Sequence, residues 1–172
     1  MTLEEAFFEI TKKHPWTAAW LRLKHIIVAV PGKSWEAKSS DDPCPSNVVA
    51  LGCRGVTIAG MLSWIGWDLD VGHGREQYES TAAAIADAQR LRRHLKGRAE
   101  IRLSKSGVGV HVYNLRMADV RPATDGPLIA KAAAKELKLR CCPTPLGRQA
   151  FWLWCRDRKP DSFRLIEAHR GI

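Results

Sequence analysis

The chain has 172 residues, 45% of them hydrophobic, and a formal net charge of +9, enough for one domain with a substantial core and too short for two comfortable ones. Its longest apolar runs, such as Ile26 to Val30, fall far short of the roughly 20 residues that span a bilayer, and Met1-Thr2-Leu3-Glu4-Glu5 lacks the basic-then-apolar order of a signal peptide. A soluble, cytoplasmic protein without a membrane partner is predicted, as a single domain over residues 1–172 with N-terminal helices and a loop in 1–45 and the main core in 46–172.

The N-terminal segment from Thr2 to Lys13 places Leu3, Ala6, Phe7 and Ile10 at helical spacing, with Thr2 and Glu5 as a capping box. Trp16, Ala19, Trp20 and Leu23 form a second apolar stripe, and Ile26 to Val30 reads as a short buried strand. The polar stretch Pro31 to Pro45 is expected to be loop. Strands are predicted at Asn47–Leu51, Gly55–Ile58 and Ser63–Val71, followed by an alanine-rich helix from Glu76 to Leu95 that Gly97 stops. Glu100–Leu103 and Val108–Leu115 form a strand pair across a tight turn. A helix over Pro127–Leu137 begins with proline in its first turn, and Ala150–Cys155 and Phe163–Ile166 close the chain as β-segments. This order of elements predicts an α+β fold with helices flanking a mostly antiparallel sheet.

Cations are unevenly placed. Arg90, Arg92, Arg93, Lys96, Arg98 and Arg102 crowd one segment, and Arg140, Arg148, Arg156, Arg158 and Lys159 follow later. Such crowding favours a polyanion partner, nucleic acid being the commonest, although a solvated basic face is the plainer alternative. The five cysteines (Cys44, Cys53, Cys141, Cys142 and Cys155) are odd in number and contain no C-x2-C spacing. Reduced thiols are therefore expected in preference to a disulfide framework or a zinc ribbon.

Two constellations carry chemistry. In Trp64-Ile65-Gly66-Trp67-Asp68-Leu69-Asp70-Val71, strand alternation sends Ile65, Trp67 and Leu69 to one face and Asp68 and Asp70 to the other. Two like charges on one face of an apolar strand repel and lose hydration unless a divalent cation or shared protons neutralise them. Oxygen ligands in this arrangement suit Mg²⁺ or Mn²⁺ holding a substrate's phosphates; the alternative is a solvated strand end. Downstream, Leu103-Ser104-Lys105-Ser106-Gly107-Val108-Gly109-Val110-His111-Val112-Tyr113 gathers hydroxyls, a lysine, two glycines and a histidine around a turn whose backbone amides are expected to cradle phosphate oxygens. His111 and Tyr113 share one face of the strand leaving that turn.

Taken together, Trp67-Asp68-Leu69-Asp70 and Ser106-Gly107-Val108-Gly109-Val110-His111 resemble the first and second motifs of the archaeo-eukaryotic primase superfamily, the primase-polymerases of phages, plasmids, mobile elements and cells. The resemblance runs over about residues 46 to 168. It implies an RRM-like catalytic core and a template-dependent nucleotidyltransferase that makes or extends primers during replication. Asp68 and Asp70 would be catalytic metal ligands for Mg²⁺ or Mn²⁺. His111 would contact the triphosphate of an NTP or dNTP, with Ser104, Lys105 and Ser106 as further nucleotide-binding groups. Arg90, Arg92, Arg93, Lys96 and Arg148 would meet a single-stranded DNA template or primer-template. A helicase, fused or associated, is a further implied partner, in the cytoplasm of a bacterium or of a phage's or plasmid's host.

The family's third motif is another acid on a strand after the second helix, where this chain reads Leu139-Arg140-Cys141-Cys142. Asp119, Asp125, Asp157, Asp161 and Glu167 are the remaining acids in reach. Without a third ligand the chain is alternatively a weakly active or inactive nucleotide-binding or nucleic-acid-binding module. Tyr113, Trp152 and Trp154 offer rings for bases, but their alternation in strands reads more readily as core packing. A remoter alternative is an Asp-based phosphatase with Asp68 as nucleophile.

Overall fold

A computed structural model describes residues 1–11, 25–54, 59–62, 64–72, 77–115, 122–141 and 151–170. The fold is α+β, with two four-stranded antiparallel sheets and three helices among these residues. Helix α1 (Leu3–Thr11) opens with the expected capping box: the Thr2 amide donates to Glu5 Oε2 at 2.7 Å and the Glu5 amide to Thr2 Oγ1 at 3.2 Å. The hydrogen bond from the Thr2 amide holds the Glu5 carboxyl below its ordinary pKa. The stripe from Trp16 to Leu23 and the expected strand at 55–58 lie outside the described residues.

The first sheet runs β2-β1-β3-β7, from β1 (His25–Ala29), β2 (Glu36–Ser39), β3 (Ala50–Cys53) and β7 (Phe151–Cys155). Strand β2 falls where loop was expected. Glu36, Ala37, Lys38 and Ser39 carry no apolar alternation and remain largely exposed. Backbone pairing with β1 and a turn at Gly32, whose φ is +73°, are what hold them extended. The second sheet runs β4-β6-β5-β8, from β4 (Trp64–Leu69), β5 (Glu100–Leu103), β6 (Val110–Leu115) and β8 (Leu165–Glu167). The N-terminal segment thus shares a sheet with the end of the chain, and the one sheet expected is replaced by two. An RRM-like sheet would return its last strand beside β4. Here β7 pairs with β3 instead, and β8 adds to the far side of β5.

Helices α2 (Thr81–His94) and α3 (Gly126–Glu136) cover one face of the second sheet. Ile65, Trp67, Leu69, Ile101, Val110 and Val112 meet Ala84, Ala88, Leu91 and Ala130 there. The small alanines let the helices approach closely, and Trp67 Nε1 donates to the Ala130 carbonyl at 3.0 Å, fixing β4 to α3. Helix α2 begins later than its composition suggests because Ser80 caps it, accepting from the Ala83 amide. The other face of the second sheet packs on the first through Trp64 and Tyr113 against Phe151, Leu51 and Val28, with Leu3 and Phe7 of α1. No helix among the described residues is long and apolar enough to cross a membrane.

Two glycines permit this sandwich. A Cβ on Gly66 would lie 2.6 Å from Phe151 Cε2 and 2.7 Å from Trp64 Cζ3, and one on Gly52 would run into the Phe151 carbonyl oxygen. Gly52 flanks a register shift between β3 and β7, where Leu51 pairs with Trp154 and Gly52 with Trp152. Such a bulge re-aims the side chains around it.

Candidate functional site

Strand β4 alternates as its sequence requires. Ile65, Trp67 and Leu69 are fully buried on the helix side, whereas Asp68 and Asp70 are only partly covered. After β4 the chain is pinned by the Tyr78 amide, which donates to the Asp70 carbonyl at 2.8 Å, and by a bridge between Val71 and Tyr78. Antiparallel pairing sets Asp68 opposite His111, and His111 opposite Arg102 on β5. Three ionisable side chains therefore lie in one row across three strands.

A cleft of about 360 Å³ opens at this end of the sheet, lined by Asp68, Asp70, Ser104, Lys105, Ser106, His111, Trp152, Asp157 and Lys159. All six residues singled out for metal and nucleotide contacts share it. Trp152, Asp157 and Lys159, which the sequence offers separately as a ring for bases, a spare acid and one of the later cations, are brought to the cleft by the pairing of β7 with β3. The charged run Arg156-Asp157-Arg158-Lys159 directly after a buried strand is a further signal.

His111 is buried and held on two sides. Its Nε2 lies 3.3 Å from Asp68 Oδ1, its Nδ1 2.8 Å from the Tyr113 hydroxyl, and its ring meets Phe151 edge to face at 4.8 Å. Burial pushes the Tyr113 phenol well above its ordinary pKa, with the nearby Arg102 opposing the shift. The Asp68 oxygen facing Nε2 is an acceptor and favours the tautomer with its N–H there; in that tautomer Nδ1 accepts from the Tyr113 hydroxyl, which reinforces the bias. Tyr113→Phe is expected to weaken this bias and turn the His111 ring into a mixture of tautomers, read by long-range ¹H–¹⁵N correlation spectra. An unchanged Nε2-protonated signature would show that Tyr113 does not reinforce the tautomer.

The β5–β6 turn is tied inward. The Gly107 amide donates to the Ser104 carbonyl at 3.0 Å, and the Val108 and Gly109 amides reach Ser106 Oγ at 3.3 and 3.5 Å. These three amides serve the turn itself and are not a phosphate cradle. What the turn offers the cleft is the Ser104–Ser106 hydroxyl pair, 2.9 Å apart, and the exposed Lys105. The turn is braced from behind by Ser162 Oγ, which donates to the Lys105 carbonyl at 2.6 Å, and by Thr81 Oγ1, which donates to the Val108 carbonyl at 2.8 Å.

Asp68 and Asp70 fit a hard divalent cation by donor type, since Mg²⁺ ordinarily takes one or two carboxylates and completes its shell with water and substrate oxygens. Among the described residues no group of three or more His, Cys, Asp and Glu side chains converges tightly enough to hold a metal alone. Leu139 and Cys141 offer no substitute, being buried on the helix side, and Cys142 lies outside the described residues. Of the other acids considered, Asp157 alone among the described residues lines the cleft. Asp161 pairs with Arg164 at 3.3 Å and Glu167 with Arg92 at 2.9 Å, Asp125 precedes α3, and Asp119 lies outside the described residues. Cys44, Cys53, Cys141 and Cys155 are free thiols.

The basic cluster of α2 stands away from the cleft. The helix touches the β5–β6 turn at its N-terminus and carries its cations at the other end of 14 residues, about 20 Å away. Arg92 is buried and internally engaged, its guanidinium meeting Glu167 and the carbonyls of Ala99 and Ala168 at 3.1 and 2.8 Å. It is a structural cation, and not a contact for a DNA backbone. Arg90 pairs with Asp87 and donates to the Leu137 carbonyl at 3.0 Å. Arg93 and Lys96 are exposed, and Arg148 lies outside the described residues. Neither a family model nor a curated protein sequence matches this chain, so its chemistry rests on the geometry of the cleft.

Proposed function

We propose that the cleft binds a nucleoside triphosphate with Mg²⁺ or Mn²⁺ and that the chain is a template-dependent nucleotidyltransferase of the primase-polymerase kind. The observation that supports this reading is the convergence of two motifs, separate in sequence, on one cleft: the acid pair of β4 and the Ser104–His111 segment. The resemblance in sequence points the same way. In the proposed reaction a primer 3′-hydroxyl oxygen attacks the α-phosphorus, a new oxygen–phosphorus bond forms, the bond from the α-phosphorus to the bridging oxygen breaks, pyrophosphate leaves and the hydroxyl proton passes to solvent. Asp68 and Asp70 would hold a divalent ion, which when bound would supply charge neutralisation. Lys105 places a point charge on the phosphates, and the Ser104 and Ser106 hydroxyls donate to them. His111, whose Nε2 faces Asp68, acts chiefly by orienting that carboxylate.

A second reading has its own support. With no tight cluster of three ligands among the described residues, the chain is alternatively a nucleotide-binding module with little turnover. The Asp-based phosphatase reading loses ground, because β4 pairs antiparallel with β6 and those enzymes set their acids in a parallel α/β sheet. The test is extension of a labelled primer on single-stranded DNA with each nucleotide type, with and without Mn²⁺. Metal-dependent, template-directed extension is expected. Metal-dependent nucleotide binding without extension would favour the second reading, and absence of both would overturn the first and the second alike.

A further inference from the structure

The three aromatic candidates for base contact are not equivalent. Tyr113 is buried beneath His111, and Trp154 packs against the core between the sheets. Trp152, half-buried like Trp154, is the one of the three that lines the cleft. Strand alternation separates Trp152 from its neighbours Phe151 and Leu153, which point into the core between the sheets, and the register shift beside Gly52 sets Trp154 with them. Trp152 instead backs onto Ala50, Cys155 and Phe163, a support that holds the indole at the cleft wall. The ammonium of Lys105 covers the ring, 5.5 Å from its centroid.

We infer that Trp152 is the stacking platform for the base of the bound nucleotide, an assignment that rests on the nucleotide reading of the cleft. The two walls divide the ligand chemically. Carboxylates, hydroxyls and His111 stand on the β4 and β5–β6 side, whereas an aromatic face with Lys159 and Asp157 stands on the β7 side. A triphosphate and its cations belong to the first wall, which leaves the base opposite the indole. An exposed cation over a ring is held weakly, while a flat base excludes water from the whole face. The base therefore takes the place of the Lys105 ammonium. Lys105 sits on the turn that carries Ser104 and Ser106, so once displaced it is already beside the phosphates. One lysine thus covers the empty platform and serves the phosphates of the occupied one. Every base has such a face, so the platform reads aromatic area and not hydrogen-bonding edges.

The experiment compares a nucleoside triphosphate with inorganic tripolyphosphate, which has no base, by calorimetric titration of the full chain in Mn²⁺. Trp152→Ala is expected to weaken nucleoside triphosphate binding about 5- to 100-fold while leaving tripolyphosphate affinity unchanged, and Trp152→Phe should retain most of the wild-type affinity. Equal losses for both ligands, or no loss for either, overturn the assignment. A wild-type measurement stands whether or not the alanine variant folds: ribose triphosphate without a base should bind no better than tripolyphosphate, and binding as tight as the full nucleotide sinks the platform. Wild-type protein that binds neither ligand overturns the nucleotide reading itself, and this assignment with it.

Discussion

Asp68→Ala combined with Asp70→Ala is expected to lower metal-dependent nucleotide incorporation by about 10²- to 10⁴-fold, since the charge stabilisation that a metal ion provides is worth several kcal/mol. Mn²⁺-dependent nucleotide binding should fall with it. Stability should fall far less than function. The two carboxylates stand partly exposed on the cleft side of β4, and the strand is held by Ile65, Trp67 and Leu69 on the opposite face and by the Trp67–Ala130 hydrogen bond. Removing two like charges from neighbouring positions relieves their repulsion, which offsets part of the cost of leaving the buried His111 Nε2 without the Asp68 carboxylate. This split between lost function and largely retained stability separates a ligand site from a structural one. Wild-type levels of both binding and extension in the double variant would show that the acid pair is not the metal site and that the polymerase reading is wrong.

The next largest effect is expected beneath the cleft, at Arg102. Its guanidinium holds Glu100, a carboxylate with no solvent exposure, and donates to the Phe163 carbonyl at 2.9 Å. Glu100 stands opposite Tyr113 and Arg102 opposite His111, so the ion pair underlies the residues that orient Asp68. Arg102→Met leaves a buried carboxylate without its counter-charge. The cost is about 3–5 kcal/mol of stability, equivalent to a fall of roughly 6–20 °C in melting temperature for a chain of this length. Adding Glu100→Met to it removes the orphaned charge and should recover most of that loss, because apolar packing commonly replaces a buried pair at little net cost. Urea unfolding of the single and double variants measures both. A single variant within 1 kcal/mol of wild type, or a double variant worse than the single, would mean that the pair is not electrostatically closed in the folded state.

Local features were legible because their causes are local. Thr2 and Glu5 cap α1 through three residues of chain, and β5 occupies its expected span of Glu100–Leu103. The alternation in β4 places its acids by the geometry of one strand. The internal hydrogen bonds of the Ser104–Gly109 turn were less accessible, because hydroxyls compete with ligands for backbone amides and only the folded turn decides between them. Strand β2 was missed for the opposite reason: its side chains carry no pattern, and a neighbouring backbone alone makes it a strand.

Residue type and periodicity act over a few positions, and they were enough for the α+β class, most helix and strand positions, and the grouping of Asp68, Asp70, Ser104, Lys105, Ser106 and His111. Tertiary structure decided what those residues face. Pairing of β7 with β3 brought Trp152, Asp157 and Lys159 to the cleft, and burial turned Arg92 from an expected nucleic-acid contact into an internal anchor. Contacts between segments about a hundred residues apart depend on which apolar faces find each other. The core that joins Phe151 and Leu153 to Trp64 and Tyr113 makes that choice, and no short stretch of chain encodes it.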